Sequence, residues 1–231
     1  MVAMNATRLL ESERKLESDF VAEQMDYPRE PKGWPAALIF FHIAQWRARL
    51  RSALTDVNGG RPYTLAVRGN IDELNDAELP EGAGLSLEVT STRSAQELAA
   101  LIEVSEALGE RPFEWSVTTT TGEALMRNSY LHPRTHLAAY YRENGEADRA
   151  DALVEETVAE LRDASAPPVL LGAALYNLAC VRVAQGRHED ALSLLEQALP
   201  MRPDLAASAP ADRDLSRLVD EPRFKVLISS S

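Results

Sequence analysis

Apolar residues recur at intervals of three and four along several segments of this chain, and only LSLEV (residues 85–89) alternates like a strand, with no obvious partner. This periodicity confines the chain to an all-α architecture. The first helix is expected from Asn5, as N-cap, to Gln24, with Leu9, Leu16 and Phe20 on one face. YPREPKGWP then forms a proline-rich connection. A second helix runs from Pro35 to Ala53 with the stripe Ile39, Ile43, Trp46 and Leu50. Residues 55–90 turn irregular, dense in Gly, Pro, Asn and Asp, with IDELND as a short helix. Long connections of this kind often carry function. The capping box SAQE (Ser94–Glu97) opens a third helix, with Leu98, Leu101, Ile102 and Leu108 on its stripe and Gly109 at its end. A second capping box, TTGE (Thr120–Glu123), opens a fourth. Four amphipathic helices with one long crossover describe a four-helix bundle.

The fourth helix carries Leu125, Ser129, His132 and His136 along one side, which is more polar than a core stripe. Buried polar groups of this kind call for polar partners or a metal. Residues at i and i+4 of a helix lie about 6 Å apart on one face, so His132 and His136 can share one ion. Pro133 stands between them and disfavours a straight helix. Either a helix starts at Pro133 with His132 as its cap, or a longer helix kinks there. His42, on the second helix, lies about 60° from the centre of its stripe and borders the interior, as a hydrogen-bonded wall residue or as a ligand. Three imidazoles from facing helices leave coordination positions open, the arrangement of a catalytic site. Glu13 falls on the apolar face of the first helix, either at a wet edge of the bundle or pointing into a pocket. Glu13, Ser129 and Tyr140 are the candidate proton-transfer or supporting groups.

The histidine within FHIAQW, the gap of about ninety residues and the HxxxH pair resemble the DinB/YfiT-like superfamily of metal-binding four-helix bundles, over residues 6–142. The resemblance implies a divalent ion (Zn, Ni, Mn or Fe) on His42, His132 and His136. It also implies a metal-dependent enzyme acting on a small electrophilic molecule by transfer or hydrolysis. The departure from the family pattern is Pro133, which distorts the backbone between two ligands.

The remainder is a different module. LYNLACVRVAQGRHEDALSLLEQALPMRPD resembles a tetratricopeptide repeat, with Leu175, Asn177 and Leu178 in its first helix and Gly186 at the turn. Ala191, Leu195 and Ala198 follow in its second helix, and Pro203 stops it. His188 takes a packing position beside the turn. A weaker copy begins in the histidine helix, where Leu137, Ala138, Tyr141, Gly145 and Ala150 keep the same order at an interval longer than the usual ~34 residues. On this reading the bundle's last helix is also the first helix of the array. Leu215, Leu218 and Phe224 are expected to cap the last repeat. The organisation is thus a DinB-like four-helix bundle over residues 5–144 and TPR-like helical hairpins with a capping helix over residues 145–228.

Thirty-six acidic against twenty-four basic residues give a net charge of −12, which repels phosphate backbones and anionic lipid. Nucleic acid and membrane are therefore not expected partners. Cys180, the single cysteine, cannot form an intramolecular disulfide and reads as a structural thiol. The N-terminus lacks an apolar signal region and no apolar run is long enough to span a bilayer, so a cytoplasmic location is expected. The expected partners are a small-molecule substrate and, through the repeat, a homodimer mate or another protein. The alternative reading is a non-catalytic interaction or small-molecule-binding protein whose histidines only line a pocket.

Overall fold

The computed structural model describes residues 2–27, 30–64 and 71–229, with backbone only at 2–5 and 72. Parts of both irregular connections, residues 28–29 and 65–70, lie outside the described residues. The fold is all-α: eleven α-helices and one two-stranded sheet are found among the described residues. The chain separates into two compact units, Met1–Glu146 and Ala147–Ser231.

In the first unit, α1 (Val2–Asp26) runs through Asn5, so the expected cap lies inside the helix. Its buried face is Leu9, Glu13, Glu17, Phe20 and Gln24, a helical stripe in which three of five members are polar. α2 (Ala36–Asn58) follows Pro35 and buries Ile39, His42, Ile43, Arg47 and Leu50. α3 (Ile71–Gly82) includes the expected IDELND helix and lies against α2, to which Arg49 and Glu78 tie it.

α4 (Leu87–Leu108) begins earlier than expected. LSLEV, whose strand-like alternation had no partner, is no strand, because Ser86 caps a helix there, its hydroxyl accepting from the Val89 amide at 3.3 Å. Leu85 and Val89 stay exposed, so the alternating pattern has nothing to pack on. The SAQE box is not a helix start either. Ser94 sits in the second turn of α4, and its hydroxyl accepts from Arg47 instead.

A hairpin of β1 (Pro112–Trp115) and β2 (Thr118–Thr120) follows, with Phe113 and Trp115 buried. Its two-residue turn has no glycine, and Ser116 takes the left-handed position at φ 58°. The TTGE box does open a helix. Thr120 caps α5 (Thr121–Met126) by accepting from the Glu123 amide at 3.2 Å.

α5 continues without a break through a π-helical turn, Arg127–Leu131, into α6 (His132–Glu143). This resolves the Pro133 question. Helices α1, α2, α4 and the α5–α6 helix pack pairwise around one interior, where Phe20 makes edge contacts with Tyr140 and Tyr141 at 5.1 and 5.7 Å.

The second unit starts with α7 (Ala147–Asp163), α8 (Pro168–Ala184) and α9 (His188–Met201). Gly186 takes φ 75° at the α8–α9 turn, where only glycine is unstrained. Pro203 ends α9 but also opens a short α10 (Pro203–Ser208). Two 3-10 turns (Ala209–Ala211, Arg213–Leu218) and α11 (Pro222–Ser229) complete the unit, and Leu215, Leu218 and Phe224 are buried as the capping reading expects.

Two substitutions test these packing arguments with opposite signs. A Cβ at Gly172 of α8 would lie 2.7 Å from Met201 Cβ and 3.2 Å from the Ala198 carbonyl of α9, so Gly172→Ala should destabilise by ~1–3 kcal/mol. Ser165 ends α7 with φ 50° and an exposed side chain, so Ser165→Gly should stabilise by roughly 0.5–1 kcal/mol. Chemical denaturation of the full chain measures both.

Candidate metal centre and cavity

α2 supplies His42, and the helix after the π turn supplies His132 and His136. The His132 Nε2 lies 3.1 Å from His42 Nε2 and 2.9 Å from His136 Nε2, and the ligand atoms of all three fall within 4.8 Å of one another. The expected triad is therefore brought together, with Pro133 accommodated. Two nitrogens bound at ~2.1 Å to one ion, at angles of 90–109°, stand about 3.0–3.4 Å apart, close to the observed spacing.

A hydrogen-bond account of the cluster falls short. The Nε2 of His132 carries one in-plane lone pair or one N–H, so it satisfies one neighbour and not two. A shared cation satisfies all three. Burial is the leading cause of lowered pKa in each ring, with neighbouring cationic forms adding to it for His42 and His132. His42 falls to about 3, His136 to about 4, and His132 well below the usual range. All three rings are thus neutral near pH 7, the form that binds metal.

Aromatic residues fix the rings. Trp34 stacks on His136 at 5.7 Å and 12°, and meets His42 edge-on at 5.4 Å. The Lys32 backbone N–H donates to Asn144 Oδ1 at 3.0 Å and pins this connection beside the end of α6. Trp46, one turn after His42, faces both His42 and His132 at 6.2 Å.

The histidines open on a cavity of about 600 Å³. Its walls are Trp46 and Trp115, the polar side chains of Asn75, Glu114, Arg127 and Asn128, and the hairpin turn with the start of β2, Ser116 to Thr119. The Trp46 indole N–H donates to Asn75 Oδ1 at 3.1 Å, so the irregular connection contributes α3 to the site. Asn128 donates to the Trp46 carbonyl at 3.1 Å and accepts from the Ser129 hydroxyl at 3.0 Å, which locks that wall.

Glu13, Ser129 and Tyr140 are not among the residues lining this cavity. Glu13 is fully buried against Arg134, whose Nε donates to Oε2 at 2.7 Å; Oε1 takes no hydrogen bond among the described residues. Burial, then the neighbouring Glu17 carboxylate, push Glu13 above the usual carboxylate range, while Arg134 and Arg47 oppose the shift. Ser129 is buried, and the Tyr140 hydroxyl donates to Gln24 Oε1 at 2.6 Å. His188 lies in the second unit, outside the cluster.

Sequence reasoning missed Asn75, Asn128, Arg127 and the hairpin. Asn128 stands one turn before His132, where helical spacing points to it. The hairpin carries no Asn-Gly or Asp-Gly turn signal.

The tetratricopeptide repeat family model matches residues 128–204. Residues 128–204 are thus similar to tetratricopeptide repeats. No curated protein and no solved structure matches the chain. The match starts at Asn128, ahead of Leu137, the first position read for the weaker copy, and so includes the histidine helix. Within the second unit, the repeat positions Leu175, Leu178, Ala191, Leu195 and Ala198 are all buried. No helix of the described residues is long and apolar enough to cross a membrane.

The lowered pKa values give a pH prediction for the metal-free chain. Between pH 6.5 and about 4 the unfolded chain takes up protons on these histidines and the folded chain does not. Their contribution to stability is therefore full above pH 6.5 and declines as pH falls toward 4. His42→Gln should flatten this dependence relative to the parent, measured by urea denaturation from pH 7 to 4.5.

Proposed function

We propose that this chain is a divalent-metal-dependent enzyme of the DinB-like superfamily that acts on a small electrophilic molecule by transfer or hydrolysis. The observation that carries the reading is the convergence of three neutral imidazole nitrogens on the wall of a cavity of about 600 Å³, the size of a small-molecule site. His42, His132 and His136 would hold the ion, and their nitrogen donors suit Zn, Ni, Mn or Fe. When bound, such an ion lowers the pKa of a coordinated water or thiol, or polarises a substrate oxygen.

The chain's own residues supply the rest. Trp46 and Trp115 give apolar walls that take up the body of a substrate and exclude water. Arg127 and Glu114 bring one charge of each sign to the cavity, and the fixed amides of Asn75 and Asn128 limit the orientations a guest can adopt. Glu13, Ser129 and Tyr140 would act through the helices that carry the ligands, since each is hydrogen-bonded within the bundle interior.

The repeat favours a second reading. Tetratricopeptide repeats commonly mediate protein–protein interaction, so a non-catalytic interaction or small-molecule-binding protein is the alternative, with the repeat meeting a protein partner or a second copy of the chain.

Elemental analysis of untagged protein separates the two. The enzyme reading expects near-stoichiometric metal that is lost in His136→Ala, followed by activity in thiol-transfer or electrophile-hydrolysis assays. A metal-free parent that also fails to take up zinc, nickel or manganese would overturn it and leave the binding protein.

A further inference from the structure

We infer that Arg47 is a positioning residue for the histidine cluster: held by Glu17, it takes up the backbone carbonyl that Pro133 leaves open and so fixes the π-helical turn that delivers His132 and His136. The inference rests on the metal-centre reading for its consequence, but its geometry stands apart from that reading.

In an α-helix the carbonyl of residue 129 accepts from the amide of residue 133. Residue 133 is proline and has no N–H, and its ring crowds that same carbonyl. Ser129 is fully buried, so water cannot replace the lost donor. Two local features accompany this loss, and the second supplies a donor. The helix widens over Arg127–Leu131, and the His132 amide donates to the Arg127 carbonyl five residues back. Into the widened turn Arg47 donates from Nη2 to the Ser129 carbonyl at 3.4 Å.

The guanidinium has no freedom to do otherwise. It is completely buried and donates to Glu17 through both terminal nitrogens, at 3.0 and 2.6 Å. It also donates to the Ser94 hydroxyl at 2.7 Å and the Ser94 carbonyl at 3.3 Å. Five acceptor atoms on three residues, from α1, α4 and the π turn, thus meet one planar fork, a geometry that an ammonium group cannot reproduce. Arg47 lies five residues after His42 on α2. The helix that presents the first imidazole therefore also grips the backbone just ahead of the other two.

The test uses the full chain with Glu17→Gln/Arg47→Met, which removes both charges so that neither is buried alone, and with Arg47→Lys. Cobalt(II) titration followed by visible absorption reads the site, and long-range ¹H–¹⁵N spectra of the metal-free imidazoles read ring placement, with His188 as internal control. The double variant should remain folded by circular dichroism and bind cobalt about ten-fold or more weakly, with an altered absorption band. The His132 and His136 ring signals should shift or broaden while those of His188 stay in place, and Arg47→Lys should fall between. A folded double variant with the parent's cobalt affinity, spectrum and ring signals would overturn the inference. If the double variant does not fold, Arg47→Lys decides by the same readouts, parent-like values overturning it. If the parent binds no cobalt, the metal reading fails, and the ring signals alone judge Arg47.

Discussion

Pro133 removes one backbone hydrogen, and much of the first unit is arranged around that loss. A proline in a helix interior costs ~3 kcal/mol or more when nothing compensates. Here the helix neither stops nor starts at the proline. It takes a π-helical turn ahead of it, and a π turn changes which face the following residues present. His132 and His136 leave this turn on the side of α2 that carries His42, so the distortion sets the approach of the three rings.

The turn sits in an interior that buries four ionisable Glu and Arg side chains. Glu13 and Glu17, one helical turn apart on α1, meet Arg134 and Arg47, and all four side chains are buried. Desolvating such groups offsets most of their mutual attraction, so an apolar interior of equal volume would be no less stable. Breaking one partner is another matter and costs ~3–5 kcal/mol. The pairs therefore make a poor argument for stability and a good one for geometry. α1 contributes no histidine, yet through Glu17 and Glu13 it ties down the two helices that do.

The electrostatics of the cluster follow from the same packing. Three imidazoles whose ligand atoms lie within 4.8 Å of one another, walled by Trp34 and Trp46, cannot be protonated together without burying adjacent positive charges. The rings stay neutral and keep their lone pairs. The cavity beside them is closed by pieces from the irregular connection and from the hairpin, neither of which belongs to the four long helices. Chemistry and shape in this site thus come from different parts of the chain.

The sequence alone determined that the chain is helical and which residues form the repeat hairpin, because helical periodicity and turn glycines are local properties. That His42, on a separate helix, meets His132 and His136 was decided by the tertiary fold. Nothing in the sequence signalled the buried role of Glu17 and Arg47, because their pairing exists only once α1 is placed against α2. SAQE read as a helix start for the same reason: it is a local pattern that the α2–α4 packing overrides, Ser94 accepting from Arg47 of α2. Whether Pro133 would break the site or shape it was equally beyond local reasoning. The answer depends on a donor, Arg47, that lies far away in sequence and is brought to the Ser129 carbonyl only by the tertiary fold.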